Sequence, residues 1–158
     1  MKQAILDLKQ AVDNLRECFE DLPEESFTEP VGEWSPRDLL AHIIGWNRYT
    51  ITACRQIRMG ELPAKLGDSE MDYSIVDAES VQLYITTERD LLLDEIETSY
   101  QSLENFLIFM KPEDWDRDFG VRFGEKTITI ESVVRALIKN YNYHCNQVKS
   151  WSNRMDRG

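Results

Sequence analysis

Four long stretches of the sequence place apolar residues at every third or fourth position, which is the spacing of one face of an α-helix. These stretches cover residues 2–21, 36–59, 87–110 and 129–151. In the first of them the stripe consists of Ile5, Leu8, Val12, Leu15 and Phe19. Amphipathic helices bury their apolar faces against one another, so the pattern predicts an all-α fold, a four-helix bundle.

The segments between these helices predict one long crossover, which joins the second helix to the third. Residues 60–73 are rich in glycine and proline and are predicted to form a loop, followed by a short helix over 74–84. The connection over 22–34 also contains prolines. Residues 112–128 hold short alternating apolar positions, which leaves room for a brief hairpin. The third helix is predicted to be capped by Thr87 and the fourth by Thr129.

The composition is that of a globular chain rather than a disordered one, with 42% hydrophobic and 30% charged residues. A chain of 158 residues is predicted to form a single domain over 1–158. The formal net charge of −11 argues against nucleic acid and anionic membranes as partners, because both attract basic surfaces. No apolar run is long enough to span a membrane, and we predict a cytoplasmic location.

The three cysteines, Cys18, Cys54 and Cys145, are far apart in the sequence and form no Cys-x-x-Cys pair. This spacing argues against a disulfide framework and against a zinc knuckle, and it predicts a reducing compartment. Cys145 follows His144 directly. Neighbours on a helix point about 100° apart, so the two do not form a nucleophile–base pair, and we predict that Cys145 is a small core residue.

The start of the second helix is unusually well specified. Ser35 suits the N-cap position and Pro36 suits the first helical position, where its missing N–H is not needed. Asp38 falls at the third helical position, where a carboxylate complements the helix N-terminus. His42 lies near the apolar face of this helix, to which Leu39 belongs. Its side chain is therefore predicted to point into the core.

The chain contains only two histidines, His42 and His144, and the periodicity turns both inward. If their helices are neighbours, the imidazoles meet near one end of the bundle, where helical bundles commonly hold metal sites. A catalytic zinc-type site needs three protein ligands. Asn140, four residues before His144, is the obvious third position, but its amide oxygen is a poor ligand for zinc or nickel. The alternative is a pair of hydrogen-bonded core histidines.

Two segments carry a family resemblance. Residues 34–46 and 140–148 resemble the second-helix and last-helix motifs of the DinB/YfiT-like superfamily. The resemblance implies a four-helix bundle with an up-down-down-up arrangement, frequently a homodimer, with a divalent metal held by three histidines. Carried over by position, His42 matches the first ligand and His144 the last. Asn140 stands at the middle position, where the family has histidine.

The last helix is also similar to the DfsB-like branch of the superfamily, which includes a colibactin self-resistance protein. This likeness rests on Tyr141 and Tyr143 before His144 and on Trp151. Superfamily members include thiol-dependent transferases and isomerases, and many have no assigned reaction. A phosphate-binding glycine loop, a serine nucleophile elbow and a Glu-x-x-His pair are all missing from the sequence, which argues against nucleotide hydrolysis, α/β-hydrolase chemistry and ferritin-like oxidation.

Two kinds of function follow, and the sequence leaves open whether the chain is an enzyme. One is a hydrolase or thiol-dependent transferase whose divalent ion, zinc or nickel, is held by His42, His144 and Asn140. The other is a bundle that binds a small molecule, or confers self-resistance, without metal or turnover. In both cases Trp34, Trp46 and Tyr141 are candidate pocket residues, because ligand pockets are largely apolar. A third hypothesis is that the chain is an interaction or dimerisation module.

Overall fold

The structure is a computed structural model that describes residues 2–29, 34–63 and 79–156. Its four long helices confirm the predicted all-α bundle: α1 (Gln3–Glu20), α2 (Pro36–Arg58), α3 (Arg89–Ile108) and α4 (Ile130–Asp156). Short 3-10 turns cover Glu24–Ser26 and Pro112–Asp114, and two short strands, β1 (Arg122–Phe123) and β2 (Lys126–Thr127), lie between α3 and α4.

Local side-chain bonds fix where two of the helices begin. Asp38 N–H donates to Ser35 Oγ over 3.2 Å, and Ser35 N–H donates to Asp38 Oδ2 over 3.1 Å, which completes the predicted capping box at the start of α2. At α4, Ser132 N–H donates to Thr129 Oγ1 over 3.1 Å, as expected for a Thr129 cap.

The predicted cap of α3 is wrong. Its N-cap residue is Glu88, which makes no side-chain capping bond. Thr87 belongs instead to the preceding turn, because its N–H donates to Tyr84 O over 3.0 Å. Of the predicted short helix over 74–84, residues 79–83 are helical, while 74–78 lie outside the described residues. The predicted loop over 60–73 is described only as far as residue 63.

The helices pack so that α1 runs along α4 and α2 runs along α3, with α2 also in contact with α4. The α2–α4 contact makes the two histidine-bearing helices neighbours. All five residues of the α1 stripe are buried, and so are most of the stripe positions of the other helices, although Leu91 at the start of α3 is exposed. Among the described residues no helix is long and apolar enough to cross a membrane.

The segment between α3 and α4 contains the brief hairpin that the sequence allowed. β1 and β2 are antiparallel, with Arg122 opposite Thr127 and Phe123 opposite Lys126. Gly124, in the turn, has a positive φ of 62°, a conformation that glycine adopts without steric cost. Val121 and Trp115, just before the hairpin, are buried and close one end of the bundle.

The expectation that the cysteines are unpaired is wrong for two of them. Cys18 of α1 and Cys145 of α4 form a disulfide with a Cα–Cα distance of 6.2 Å. They are 127 residues apart in the sequence, and only the packing of the first helix on the last brings them together. The third cysteine, Cys54, is a buried thiol, and burial raises its pKa to about 12.

Candidate functional site

His42 and His144 meet in the core between α2 and α4. Their Nε2 atoms are 3.2 Å apart, and their rings are nearly perpendicular, with an interplanar angle of 80°. His42 is 4% exposed and His144 is 8% exposed, so both imidazoles are largely withdrawn from water. The two histidines that periodicity turned inward therefore lie together in the structure.

Asn140 joins this pair from α4. Its Oδ1 atom lies 3.3 Å from His42 Nε2. Unlike the histidines, Asn140 is partly exposed, so it stands at the solvent edge of the cluster. The three residues that the resemblance implied as metal ligands thus converge, and His42 Nε2 is the atom that both of the others approach.

Gln147 supports the cluster from one turn further along α4, a role that the sequence analysis missed. Its Oε1 atom lies 3.2 Å from His144 Nδ1. A carbonyl oxygen only accepts hydrogen bonds, so this contact places the imidazole proton of His144 on Nδ1 and leaves the lone pair of Nε2 facing His42. The signal was present in the sequence, because residues three apart on a helix are neighbours.

Aromatic rings surround the imidazoles. The half-buried ring of Trp34 lies 5.2 Å from the His42 ring, centroid to centroid, and the ring of Trp46 lies 6.4 Å from it. The exposed Tyr143 places its ring 5.4 Å from His144. These rings limit the access of water to the histidines, which strengthens electrostatic interactions inside the cluster.

Tyr141, the third candidate pocket residue, has its polar end engaged within the bundle. It is completely buried, and its hydroxyl donates to Asn47 Oδ1, with Ile43 O also 3.4 Å away. Asn47 Nδ2 in turn donates to Ser99 Oγ over 3.0 Å. Burial raises the pKa of Tyr141 well above its usual range. This chain of polar groups links α4 to α2 and α3.

Sequence reasoning did not find Asn47 or Ser99 as members of a network. Asn47 follows Ile43 by four residues and is fully buried, so a polar residue on a buried stripe was the available signal. Its partner Ser99 lies 52 residues away, on a different helix. Only the packed structure pairs them.

A metal site requires a particular distance between its ligand atoms. Tetrahedral zinc with metal–nitrogen bonds of about 2.0–2.1 Å separates its ligand atoms by about 3.3 Å. The separations of 3.2 Å and 3.3 Å around His42 Nε2 match that spacing, and they also match ordinary hydrogen bonds. Within the described ranges, no group of three or more His, Cys, Asp or Glu side chains is placed to hold a metal. The donor set is therefore two imidazoles and a neutral amide oxygen, which suits zinc or nickel only weakly.

The all-α bundle agrees with the family comparison. The sequence model of the DinB superfamily matches residues 7–148, and the chain belongs to that superfamily. No functionally curated protein matches the sequence.

Solved structures share the fold at low sequence identity. An uncharacterised protein from Clostridium difficile 630 has a TM-score of 0.75 at 13% identity, covering 96% of this chain and 94% of its own. An uncharacterised protein from Escherichia coli UTI89 has a TM-score of 0.74 at 15% identity, covering 97% and 92%. The colibactin self-resistance protein ClbS, crystallised with a dsDNA, has a TM-score of 0.73 at 15% identity, covering 93% and 91%. These likenesses concern the fold alone.

Proposed function

We propose that this DinB-superfamily protein binds a divalent metal ion, zinc or nickel, through His42, His144 and Asn140, and acts on a small molecule as a hydrolase or thiol-dependent transferase. The observation that supports the proposal is the convergence of two ligand-type atoms on His42 Nε2, at 3.2 Å and 3.3 Å. Those separations are of the length that the edges of a tetrahedral zinc site would have.

Each residue of the cluster has a role in this proposal. The two imidazoles would be the main ligands, and the partly exposed Asn140 would be a weak oxygen ligand. Gln147 holds His144 in the tautomer whose Nε2 lone pair faces the site. When bound, a divalent ion supplies a lowered pKa for a coordinated water or thiol.

The second candidate is a metal-free bundle that binds a small molecule, or confers self-resistance, without turnover. It is favoured by a specific observation: one proton between the histidines makes all three of the contacts at His42 Nε2 and His144 Nδ1 hydrogen bonds. His144 donates from Nδ1 to Gln147, and His42 donates from Nε2 toward His144 Nε2 and Asn140. A self-resistance protein among the structural neighbours is in keeping with this candidate.

Metal content separates the two candidates. The tag-free protein is dialysed to equilibrium against zinc or nickel, and metal per chain is measured by elemental mass spectrometry, because dialysis retains a weak complex that desalting would strip. We expect about one equivalent in the wild type and in Tyr143→Phe, a control at an exposed residue beside His144. We expect that equivalent to be lost in His42→Ala. No saturable binding in the wild type would reject the metal site in favour of the metal-free candidate.

Three further parts of the proposal concern the surroundings of the protein. The ligand is a small molecule, to be found by a thermal-shift screen with and without metal. The protein acts in the cytoplasm, which cell fractionation tests.

It is a homodimer, so light scattering is expected to give twice the chain mass of 18.5 kDa. A mass of one chain would reject the dimer and leave the metal proposal intact.

A further inference from the structure

The disulfide between Cys18 and Cys145 is a crosslink outside the histidine cluster. It joins the last turn of α1 to the middle of α4, and both residues are buried, at 6% and 4% exposure. The Cα–Cα distance of 6.2 Å lies within the range that disulfides span without movement of the backbone. The fold therefore holds the two sulfurs as partners even when the bond is open.

A cavity lies beside one of the two cysteines. It lies between α1 and α4, has a volume of about 460 Å³ and is lined by Cys18. Its other walls are mainly polar and include Asn14, Glu17, Lys149 and Ser152. Asn14, Glu17 and Lys149 are exposed, so the cavity opens to solvent. Its lining carries one cationic side chain, Lys149, and two anionic ones, Glu17 and Asp21, so it offers a partner both to the carboxylate and to the ammonium group of a small zwitterion.

We propose that Cys18 and Cys145 form a reversible redox site that exchanges with small zwitterionic thiols and disulfides, of the glutathione class, through this cavity. Cys18 is the residue that the incoming molecule meets, and Cys145, which does not line the cavity, is the resolving partner. This site is independent of any metal at the histidine cluster.

The exchange is balanced as follows. The Cys18 thiol loses its proton and attacks one sulfur of a small disulfide RSSR, whose S–S bond breaks and releases RSH. The Cys145 thiol then attacks the Cys18 sulfur of the mixed disulfide, loses its proton and releases the second RSH. The protein loses two electrons and two protons overall, and RSSR gains both. Reduction by two RSH is the reverse reaction.

Opening the bond removes a crosslink between residues 127 positions apart, so the reduced chain has far more freedom when unfolded. We expect the oxidised protein to melt on the order of 10 °C higher than the reduced one.

The test is a redox titration of the native protein. The chain is equilibrated with glutathione and glutathione disulfide at a series of ratios and quenched in acid. It is then alkylated under denaturing conditions, and its intact mass is measured by mass spectrometry. In reducing mixtures we expect three alkylated thiols, and in oxidising mixtures one, which is Cys54. The control Cys54→Ala is expected to pass from two thiols to none at the same ratio, because Cys54 is the cysteine outside the pair. The double variant Cys18→Ser, Cys145→Ser is expected to keep its melting temperature in every mixture.

A second variant tests the cavity as the route of access. Ser152→Trp narrows the cavity from α4 and is expected to slow reduction of the native protein severalfold while leaving the equilibrium ratio unchanged. The proposal is overturned if three thiols remain in every mixture, or if Cys54→Ala abolishes the transition. It is also overturned if Ser152→Trp leaves the rate of reduction unchanged, or if the bond is reduced only under unfolding conditions, because access through the cavity is part of the proposal.

Discussion

The Nε2 atoms of His42 and His144 lie 3.2 Å apart although 102 residues separate the two in the sequence. Two imidazole nitrogens at this distance must share something between them, either one proton or one metal ion. With a proton the pair is a hydrogen bond, and with an ion it would be one edge of a coordination sphere. In the metal-dependent candidate a metal ion lies between the two nitrogens, and in the metal-free candidate a proton does.

Restoring the family's middle ligand is the first prediction. Asn140→His replaces a neutral oxygen with an imidazole nitrogen on the side chain that already lies 3.3 Å from His42 Nε2. We expect zinc and nickel to bind at least about tenfold more tightly, because imidazole is the better ligand for both ions. Isothermal titration calorimetry on the tag-free protein measures the change.

The matched control for that substitution is Asn146→His, which adds a histidine to the same helix at an exposed position. It is expected to leave the affinity unchanged. Equal affinities for Asn140→His and the wild type would mean that position 140 does not face the ion, and the proposed ligand set would have to be abandoned.

The second prediction concerns Gln147, which accepts from Nδ1 of His144 over 3.2 Å. Gln147→Leu removes the acceptor that fixes the ring and its tautomer, and we expect metal affinity to fall about 10–100-fold, as is usual for such supporting partners. Gln147→Glu keeps an acceptor and is expected to retain most of the affinity. Asn146→Leu is the neighbouring control. If Gln147→Leu and Asn146→Leu bind metal alike, Gln147 has no part in orienting His144.

Much of the fold could be predicted from the sequence because its determinants are local. The α2 capping box lies within four consecutive residues, and the apolar stripes repeat every three or four positions, so both can be read without tertiary information. Thr87 shows the limit of predicting structure from the local sequence alone. Thr87 and Asp90 match a capping pattern, yet Thr87 is used to close the turn before α3.

The two histidines of the candidate site could be predicted from the sequence to point inward, but their contact and the part of Gln147 could not. Periodicity turned His42 and His144 inward, and only the packing of α2 on α4 shows that they touch. The disulfide was missed for the same reason, because sequence spacing carries no information about Cys18 and Cys145 until α1 is placed along α4. Asn47 was missed because its partners lie on two other helices.

The third prediction tests the buried network beside the site. Tyr141→Phe removes the hydroxyl that donates to Asn47 Oδ1 and leaves a fully buried amide oxygen without that donor. We expect the free energy of unfolding to fall by about 1–3 kcal/mol. Tyr143→Phe changes an exposed tyrosine two positions away and is expected to change stability by less than about 0.5 kcal/mol. Urea denaturation followed by circular dichroism measures both, and equal stabilities would show that the network contributes nothing net.

The fourth prediction is a pH dependence caused by Cys54. Burial raises the pKa of its thiol from 9.0 to about 12 in the folded protein. Between these values the unfolded chain loses the thiol proton while the folded chain keeps it, so stability falls as the pH rises. Between pH 8 and pH 10 this group is expected to remove about 1.4 kcal/mol.

The measurement compares urea denaturation at pH 8, 9 and 10 with and without Cys54→Ala. Both proteins also carry Cys18→Ser and Cys145→Ser, which prevents disulfide exchange at alkaline pH. The Cys54→Ala protein is expected to lose less stability over this range, since Ala does not titrate. Identical losses in the two proteins would mean that the Cys54 thiol ionises as readily in the fold as in the unfolded chain.

The fifth prediction is that this chain does not bind duplex DNA, although the structural neighbour ClbS was crystallised with a dsDNA. Binding to DNA depends on cationic side chains that replace counterions along the phosphates, and this chain has a net charge of −11. Fluorescence anisotropy of a labelled duplex is expected to stay flat up to about 10 μM protein in 0.15 M salt, with non-specific binding at best weak under such conditions. ClbS serves as the positive control. Saturable binding that weakens as salt is added would contradict this prediction. It would mean that the protein has a local cationic surface in spite of its negative net charge, and that nucleic acid is one of its partners.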